Sequence, residues 1–285
     1  MHETDATGLA LGRRVLVKVG GETLLAAEDR QRLAADLRGV WETGAELCVV
    51  HGGGPQITQL AEELGLPSTF VAGRRVTDAG MLRAVGLSLC GEVGPLLLAA
   101  CLAEGVPAVS TPAASAGGVI GRKRPPRRVT GESQPVDYGL VADIDKASGS
   151  LVEALWDGGF VPLLSPLVCD RQGQLLNLNA DSLVTALTEA LHFDDVVLVT
   201  GVSGVYRDLR DPASHIALLT QADLPELLTS GAVQGGMVAK LEEVSTILRR
   251  GARQVWIVGY KDEDAITAAL TGDAGTRTVI LREEP

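Results

Sequence analysis

At 285 residues the chain is long enough for two lobes, each with its own core, or for one large α/β domain. Hydrophobic residues make up 46% and aromatics only 3%, so the core is expected to be aliphatic, which suits a helix-covered parallel sheet better than an aromatic-rich β-sandwich. A formal net charge of −11 excludes a general nucleic-acid binder, because phosphate neutralisation needs a basic surface.

In chain order, the first 13 residues are polar and mixed, lack the apolar core of a signal peptide and are not convincingly amphipathic. Apolar, β-branched runs predict strands at 14–19 (RVLVKV), 46–50 (ELCVV), 106–110 (VPAVS), 160–165 (FVPLLS), 195–200 (DVVLVT) and 254–258 (QVWIV). Helical periodicity fills the intervals: 28–43, with Leu33, Leu37, Val40 and Trp41 on one stripe, 54–64, 78–104 in one or two pieces, 147–157, 180–191, 236–250 and 263–270. Alternation of this size implies βαβ units, right-handed crossovers and ligands at the carboxyl ends of the strands. Two stretches break the rhythm: 113–140, rich in Gly, Pro and Arg, reads as a hairpin excursion, and 167–176 as a second small hairpin. A lobe boundary is placed near residue 175, giving lobes of 1–175 and 176–285. No stretch approaches about 18 uninterrupted apolar residues, so no membrane span is expected and the protein is assigned to the cytoplasm. Four cysteines without CxxC spacing (Cys48, Cys90, Cys101, Cys169) read as buried, reduced thiols.

Two glycine sites follow predicted strands. Lys18-Val19-Gly20-Gly21 follows the first, and His51-Gly52-Gly53-Gly54 the second. Each is either a tight βα turn or a nest of bare N–H groups for an anion; two of them with a lysine alongside favour phosphate. Val233-Gln234-Gly235-Gly236-Met237-Val238-Ala239-Lys240 opens a helix with Lys240 about one turn inside, either a solvated lysine or a phosphate ligand. In Leu176-Asn177-Leu178-Asn179-Ala180-Asp181, alternation puts Asn177, Asn179 and Asp181 on one face while the strand lasts. Asn179 or Asp181 equally suits a helix N-cap. His51, a lone histidine at a strand end, is given a supporting role rather than a catalytic one.

VKVGGETL, VVHGGGPQI, GRRVTD, LLNLNAD and QGGMVAKLEEV, in this order and spacing over residues 14–282, resemble the amino acid kinase family. The resemblance implies an αβα sandwich of three layers with an open, mainly parallel sheet, an N-terminal lobe for the acyl substrate and a C-terminal lobe for ATP. It is strongest to those members that phosphorylate the γ-carboxylate of N-acetyl-L-glutamate in arginine biosynthesis. A kinase acting on carrier-protein-linked aminoadipate in lysine biosynthesis and a non-catalytic ligand-binding relative are the alternatives. By the resemblance, Lys18 and Lys240 hold the transferring phosphoryl group, Asp181 orients both lysines, and the amides of Gly20 and Gly21 and of Gly52 to Gly54 donate to phosphoryl and carboxylate oxygens. Gly21 and Gly53 are the donors closest to the chemistry. Arg75 and Asn177 hold the substrate's α-carboxylate, while Thr200, Gly201, Val202, Gly204, Gly236 and Met237 join Lys18, Gly20, Gly21 and Lys240 around the nucleotide. Magnesium arrives on the ATP phosphates, and no protein residue is named as its ligand. A homodimer without strong arginine feedback is expected, since only about 13 residues precede the first strand. The attacking carboxylate is already ionised at neutral pH, so the chemistry needs charge neutralisation and alignment rather than a general base.

Three places depart from the family pattern. Thr200-Gly201-Val202-Ser203-Gly204 has glycine where the family's turn carries Asp; Gly91-Glu92-Val93-Gly94-Pro95 replaces a helix end of Asn-Lys; and Val109-Ser110-Thr111-Pro112 stands where GLSG usually follows a strand. The basic run Arg122-Lys123-Arg124-Pro125-Pro126-Arg127-Arg128 reads first as a solvated hairpin, then as a steering surface for an anionic substrate or a dock for an acidic carrier.

Overall fold

The computed structural model describes residues 12–230, 233, 235–272 and 275–283; the readings made on the first eleven residues and on Gln234 lie outside these. Eight strands build one sheet: β1 (Arg14–Val19), β2 (Glu46–His51), β3 (Ala108–Pro112), β4 (Val161–Ser165), β5 (Asp195–Thr200), β6 (Leu218–Thr220), β7 (Gln254–Gly259) and β8 (Thr278–Leu281). Their order across the sheet is β6-β8-β7-β5-β1-β2-β4-β3, and every neighbouring pair is parallel except β7 with β8. The chain therefore grows outward from β1 on one side and returns to β5 on its other side, so the carboxyl ends of β1, β2 and β5 border the point where the winding reverses.

The helices are α1 (Ala27–Glu42), α2 (Gly54–Glu63), α3 (Ala79–Ser88), α4 (Gly94–Ala103), α5 (Ser150–Asp157), α6 (Ala180–Leu191), α7 (Asp223–Thr229), α8 (Gly236–Arg249) and α9 (Ala265–Thr271). Strand alternation sorts the core into two layers. Val15, Val17 and Val19 of β1 pack with α1, α4 and α9. Leu16 packs on the opposite face with α6 and α8, and the same alternation places Lys18 on that second face. A smaller sheet of 175–177, 167–169, 119–123 and 142–147 caps this side near the strand ends. The three-layer, mainly parallel α/β reading is thus the observed architecture.

Differences from the sequence reading are local. The short strands β6 and β8 and helix α7 were not anticipated. The excursion at 113–140 does form a hairpin arm at 119–123, but its partner strand, 142–147, lies beyond the predicted range. The 78–104 stretch is one continuous helical run, Ala79–Ala103, in which a π turn at Leu89–Val93 joins α3 to α4. This run is long and apolar enough by composition to meet a membrane-span criterion that the sequence reading did not expect to be met, yet Met81, Leu82, Val85, Leu89, Leu97 and Cys101 pack inward. All four cysteines are free; Cys48 and Cys101 are buried as expected, whereas Cys90 and Cys169 are only half-buried.

The basic run is not wholly solvated. Arg124 is buried and its Nε donates to Asp143 Oδ1 at 2.8 Å, because the hairpin folds the guanidinium under its own partner strand. Arg127 also pairs with Asp143, at 2.6 Å, and Lys123 with Asp137 at 3.4 Å.

The two halves of the first layer are tied by Asp36, a buried carboxylate of α1. It accepts from the backbone N–H groups of Ile266 at 2.7 Å and Thr267 at 2.8 Å, and from the Thr267 hydroxyl at 2.7 Å, so it caps α9 from a distance. Asp36→Ala is expected to destabilise the protein by about 2–3 kcal/mol, since it leaves the buried Ile266 N–H and the half-buried Thr267 N–H without their acceptor. Urea unfolding with an unchanged m-value would measure this.

Candidate active site

The residues at the carboxyl ends of β1, β2 and β5 surround a cleft of about 470 Å³. Lys18, Gly20, Gly21, Gly52, Gly53, Gly54, Arg75, Asn177, Asp181, Thr200, Gly201 and Lys240 all line it. A second cavity of about 840 Å³ is lined by Gly201, Val202, Gly236 and Met237 with Tyr206, Arg207 and Val233. The two cavities share Gly201 and Lys240, so they meet beside the lysine pair. Of the sequence-predicted residues only Gly204 lines neither. Its φ is +136°, and a Cβ there would lie 2.8 Å from both His215 Nε2 and Thr278 Oγ1, so glycine serves the turn before 205–206.

Glycine does two different jobs around the cleft. A Cβ at Gly21 would come within 2.8 Å of Gly53 Cα and 2.9 Å of Gly54 N, so only glycine lets the two turns touch. The contact is reinforced by Gln56 Nε2 donating to the Gly21 carbonyl at 2.8 Å. At Gly20, Gly54, Gly201 and Gly236, by contrast, a Cβ would meet nothing within 4 Å, so each missing side chain leaves open volume next to bare backbone. Helix α2 starts at Gly54, and α8 at Gly236 behind Gly235 with φ +59°. Both therefore present unsatisfied first-turn N–H groups and the positive end of a helix dipole.

The charged cluster follows from which face each residue occupies. Lys18 Nζ lies 2.7 Å from Asp181 Oδ1 on α6 and 3.8 Å from Glu243 Oε1 on α8. The capping ambiguity resolves in favour of Asn179, whose side chain accepts from the N–H groups of Asp181 and Ser182. Asp181 is thereby left free to face Lys18. The strand ends at Asn177, so the expected shared face of Asn177, Asn179 and Asp181 does not extend beyond it. Lys240 is inside the cleft, and no carboxylate among the described residues lies within ion-pair distance of it. Burial and the like charge of Lys18 lower its pKa to about 8. For Lys18 burial works against the charge, but Asp181 and Glu243 outweigh it and hold the ammonium above its usual range. Glu243, which sequence reading missed, is pushed up to about 7 by burial and by the Asp181 charge, against the pull of the two lysines. Its signal was present in the sequence: three residues after Lys240, it shares that lysine's helix face.

Arg75 donates to the Gly54 carbonyl at 3.1 Å and Thr58 Oγ1 at 2.7 Å, and its guanidinium lies 4.6 Å from the Phe70 ring centre. It is thus a cation held rigidly at the rim of the glycine turn. Asn177 Nδ2 donates to Thr77 Oγ1 at 3.1 Å, leaving its amide oxygen for other partners. His51 is fully buried behind the same turn, and burial pushes its pKa down to about 4.

Two of the departures from the family pattern lie against each other. A Cβ at Gly94 would stand 2.6 Å from Ser110 Oγ, so a side chain on the helix and one on the strand exclude each other here. Gly201 is different: a Cβ would fit there freely, and the Thr200 hydroxyl closes the turn instead by donating to the Val202 carbonyl at 2.8 Å.

The sequence profile of the amino acid kinase family matches residues 13–259. The chain is 40% identical over 267 residues to the acetylglutamate kinase of Anaeromyxobacter dehalogenans strain 2CP-C, covering 93% of this chain and 98% of that one. It is also 40% identical over 276 residues to the acetylglutamate kinase of Sorangium cellulosum, covering 96% and 95%. Among solved structures, an N-acetylglutamate synthase of Neisseria gonorrhoeae superposes with a TM-score of 0.81 at 21% identity, over 96% of this chain and 61% of that longer one. A carbamate kinase of Giardia lamblia superposes at 0.68 with 16% identity, over 95% and 99%. These two likenesses speak to the fold.

Proposed function

We propose that this chain, which belongs to the amino acid kinase family, transfers the γ-phosphoryl group of ATP to the γ-carboxylate of N-acetyl-L-glutamate, the carboxylate-activating step of arginine biosynthesis. The observation that carries the reading is the meeting of two cavities at Lys240 and Gly201, with Lys18 and the glycine turns in one of them. One substrate fits each cavity, and the reacting atoms come together where cations and bare amides converge.

The residues take roles that follow from their chemistry. Two anions must approach each other, so Lys18 and Lys240 neutralise the transferring phosphoryl group, and the Gly21 and Gly53 amides donate to its oxygens. Asp181 fixes Lys18. Arg75, with Asn177, faces the substrate's α-carboxylate from the acyl side. Residues 1–175 would then form the acyl side and 176–285 the nucleotide side, with Gly236, Met237 and Val202 against the nucleotide. For magnesium the donor set is sparse: Asp181, Glu243 and Glu22 are the nearby carboxylates, and no group of three metal-ligating side chains occurs among the described residues. That fits an ion carried chiefly by the phosphates, where it adds positive charge.

A cytoplasmic homodimer completes the reading. Leu87, Leu96 and Leu102 are exposed on the Ala79–Ala103 run, apolar surface of the kind a second copy covers.

The test is ATP-dependent acyl-hydroxamate formation with N-acetylglutamate, glutamate and N-acetylaminoadipate in parallel. A strong preference for N-acetylglutamate is expected, and Arg75→Gln should raise KM for it about 100-fold with KM for ATP nearly unchanged. No product with any of the three would overturn the reading in favour of a carrier-linked substrate or a non-catalytic relative.

A further inference from the structure

We propose that His51 is a positioning residue for the glycine turn: its Nδ1–H holds the Gly52 carbonyl and so aims the Gly53 N–H into the cleft. What that N–H meets there rests on the kinase reading above; the aiming itself rests on geometry.

Three successive peptides lead from β2 into α2, and each is held by one bond. The Gly52 N–H donates to the Val19 carbonyl at 2.9 Å, and the Gly53 carbonyl accepts from Ile57 N–H at 2.9 Å. Between them, the Gly52–Gly53 peptide is held by His51, whose Nδ1 lies 3.1 Å from the Gly52 oxygen. A carbonyl only accepts, so Nδ1 carries the proton and Nε2 the lone pair. Nε2 is buried without a hydrogen-bond partner. No peptide among the described residues is cis, and in a trans peptide the C=O and N–H point in opposite directions. A carbonyl pinned toward the buried imidazole therefore turns the Gly53 N–H away from it, toward the cleft that Gly53 lines.

The need for such a pin follows from the sequence. Glycines on both sides of this peptide let it rotate at little steric cost, so without an anchor the donor would be aimed only part of the time. The ring itself has little freedom. It is fully buried, and a Cβ on Gly94 would lie 3.4 Å from Nε2, so the first turn of α4 closes over it. Burial lowers its pKa to about 4, so the ring is neutral near pH 7, and the Nδ1 bond to the Gly52 carbonyl selects between the two neutral tautomers.

Two variants and one spectrum test this. Asparagine places an amide N–H near the position of Nδ1, whereas leucine fills similar volume without a donor. His51→Leu is expected to lower kcat by about 10- to 100-fold with both KM values within about threefold, somewhat less than outright loss of a backbone donor costs. His51→Asn should recover kcat to within about threefold of the parent. Long-range ¹H–¹⁵N spectra of the parent should show the Nδ1–H tautomer from pH 6 to 8. Leucine as active as histidine, asparagine no better than leucine in folded proteins, or an Nε2–H tautomer would each overturn the proposal. If neither variant folds, the tautomer decides. A parent inactive with every substrate would sink the kinase reading instead, and the tautomer would still decide whether His51 pins the peptide.

Discussion

Lys18→Met and Lys240→Met are each expected to lower kcat by at least about 10³-fold, while ADP still binds. The reaction brings a carboxylate against a triphosphate, and the attacking carboxylate is already ionised, so neither a protein nucleophile nor a general base is needed. The cations of the cleft are therefore the chemistry. Lys18 is fixed by Asp181 at 2.7 Å, so its ammonium is placed before substrate arrives. Lys240 has no carboxylate within ion-pair distance among the described residues, and burial and the like charge of Lys18 outweigh the support of Glu243, Asp181 and Glu22 until phosphate enters. The loss is read in kcat because the two ammoniums matter most as charge shifts onto the transferring phosphoryl oxygens, an interaction stronger in the transition state than in the bound ground state. The two losses should not add, because either lysine alone leaves the phosphoryl group half-neutralised; the double variant should be little worse than the poorer single one. Methionine keeps the length and apolar stem of lysine, and circular dichroism should be unchanged. Removing Lys18 also leaves Asp181 facing Glu243, so Lys18→Met/Asp181→Asn controls for their repulsion. If either single variant kept more than a tenth of parental kcat, the assignment of these lysines to the phosphoryl group would fall.

How much of this was readable beforehand depended on whether the determining contacts were local. Strands β1, β2, β5 and β7 are runs of β-branched residues buried on both faces, and their limits were predicted to within a residue. The outermost strand β6 and its neighbour β8 have only three and four residues and gain their identity from pairing rather than composition, so they passed unseen. Lys18, Lys240, Arg75 and the glycine turns could be named because each sits in a short motif with its own chemistry. Choosing between Asn179 and Asp181 as the cap needed the position of Lys18, 161 residues or more away in the chain. Arg124 looked like one more solvated arginine because its partner, Asp143, is 19 residues on. Glu243 was hidden for another reason. Glu242 beside it is an ordinary helix glutamate, and only the helix face shared with Lys240 separates the two.

That missed glutamate sets the second large effect, on pH dependence. Lys240 must be cationic to meet phosphate, and in the free protein its pKa is about 8, lowered by burial and by Lys18. As pH rises through that value the charge is lost, so kcat/KM for ATP should fall about tenfold per unit above pH 8. Bound phosphate stabilises the ammonium, so kcat itself should hold to higher pH. Glu243, with a pKa of about 7, is ionised over the same alkaline range and supports the Lys240 charge. Glu243→Gln removes that support, and the sign is fixed: the Lys240 pKa drops further and the alkaline limb of kcat/KM moves to lower pH. Lys240→Arg keeps a guanidinium that stays charged throughout, so its limb should vanish even though the altered geometry lowers the plateau. Groups facing this pair from other elements are Lys18 on β1, Asp181 on α6 and Glu22 after β1. Lys18 stays protonated well above the range tested, because Asp181 and Glu243 outweigh its burial. A parental kcat/KM flat to pH 9.5, or a Glu243→Gln limb displaced upward, would show that Lys240 does not titrate as its surroundings require.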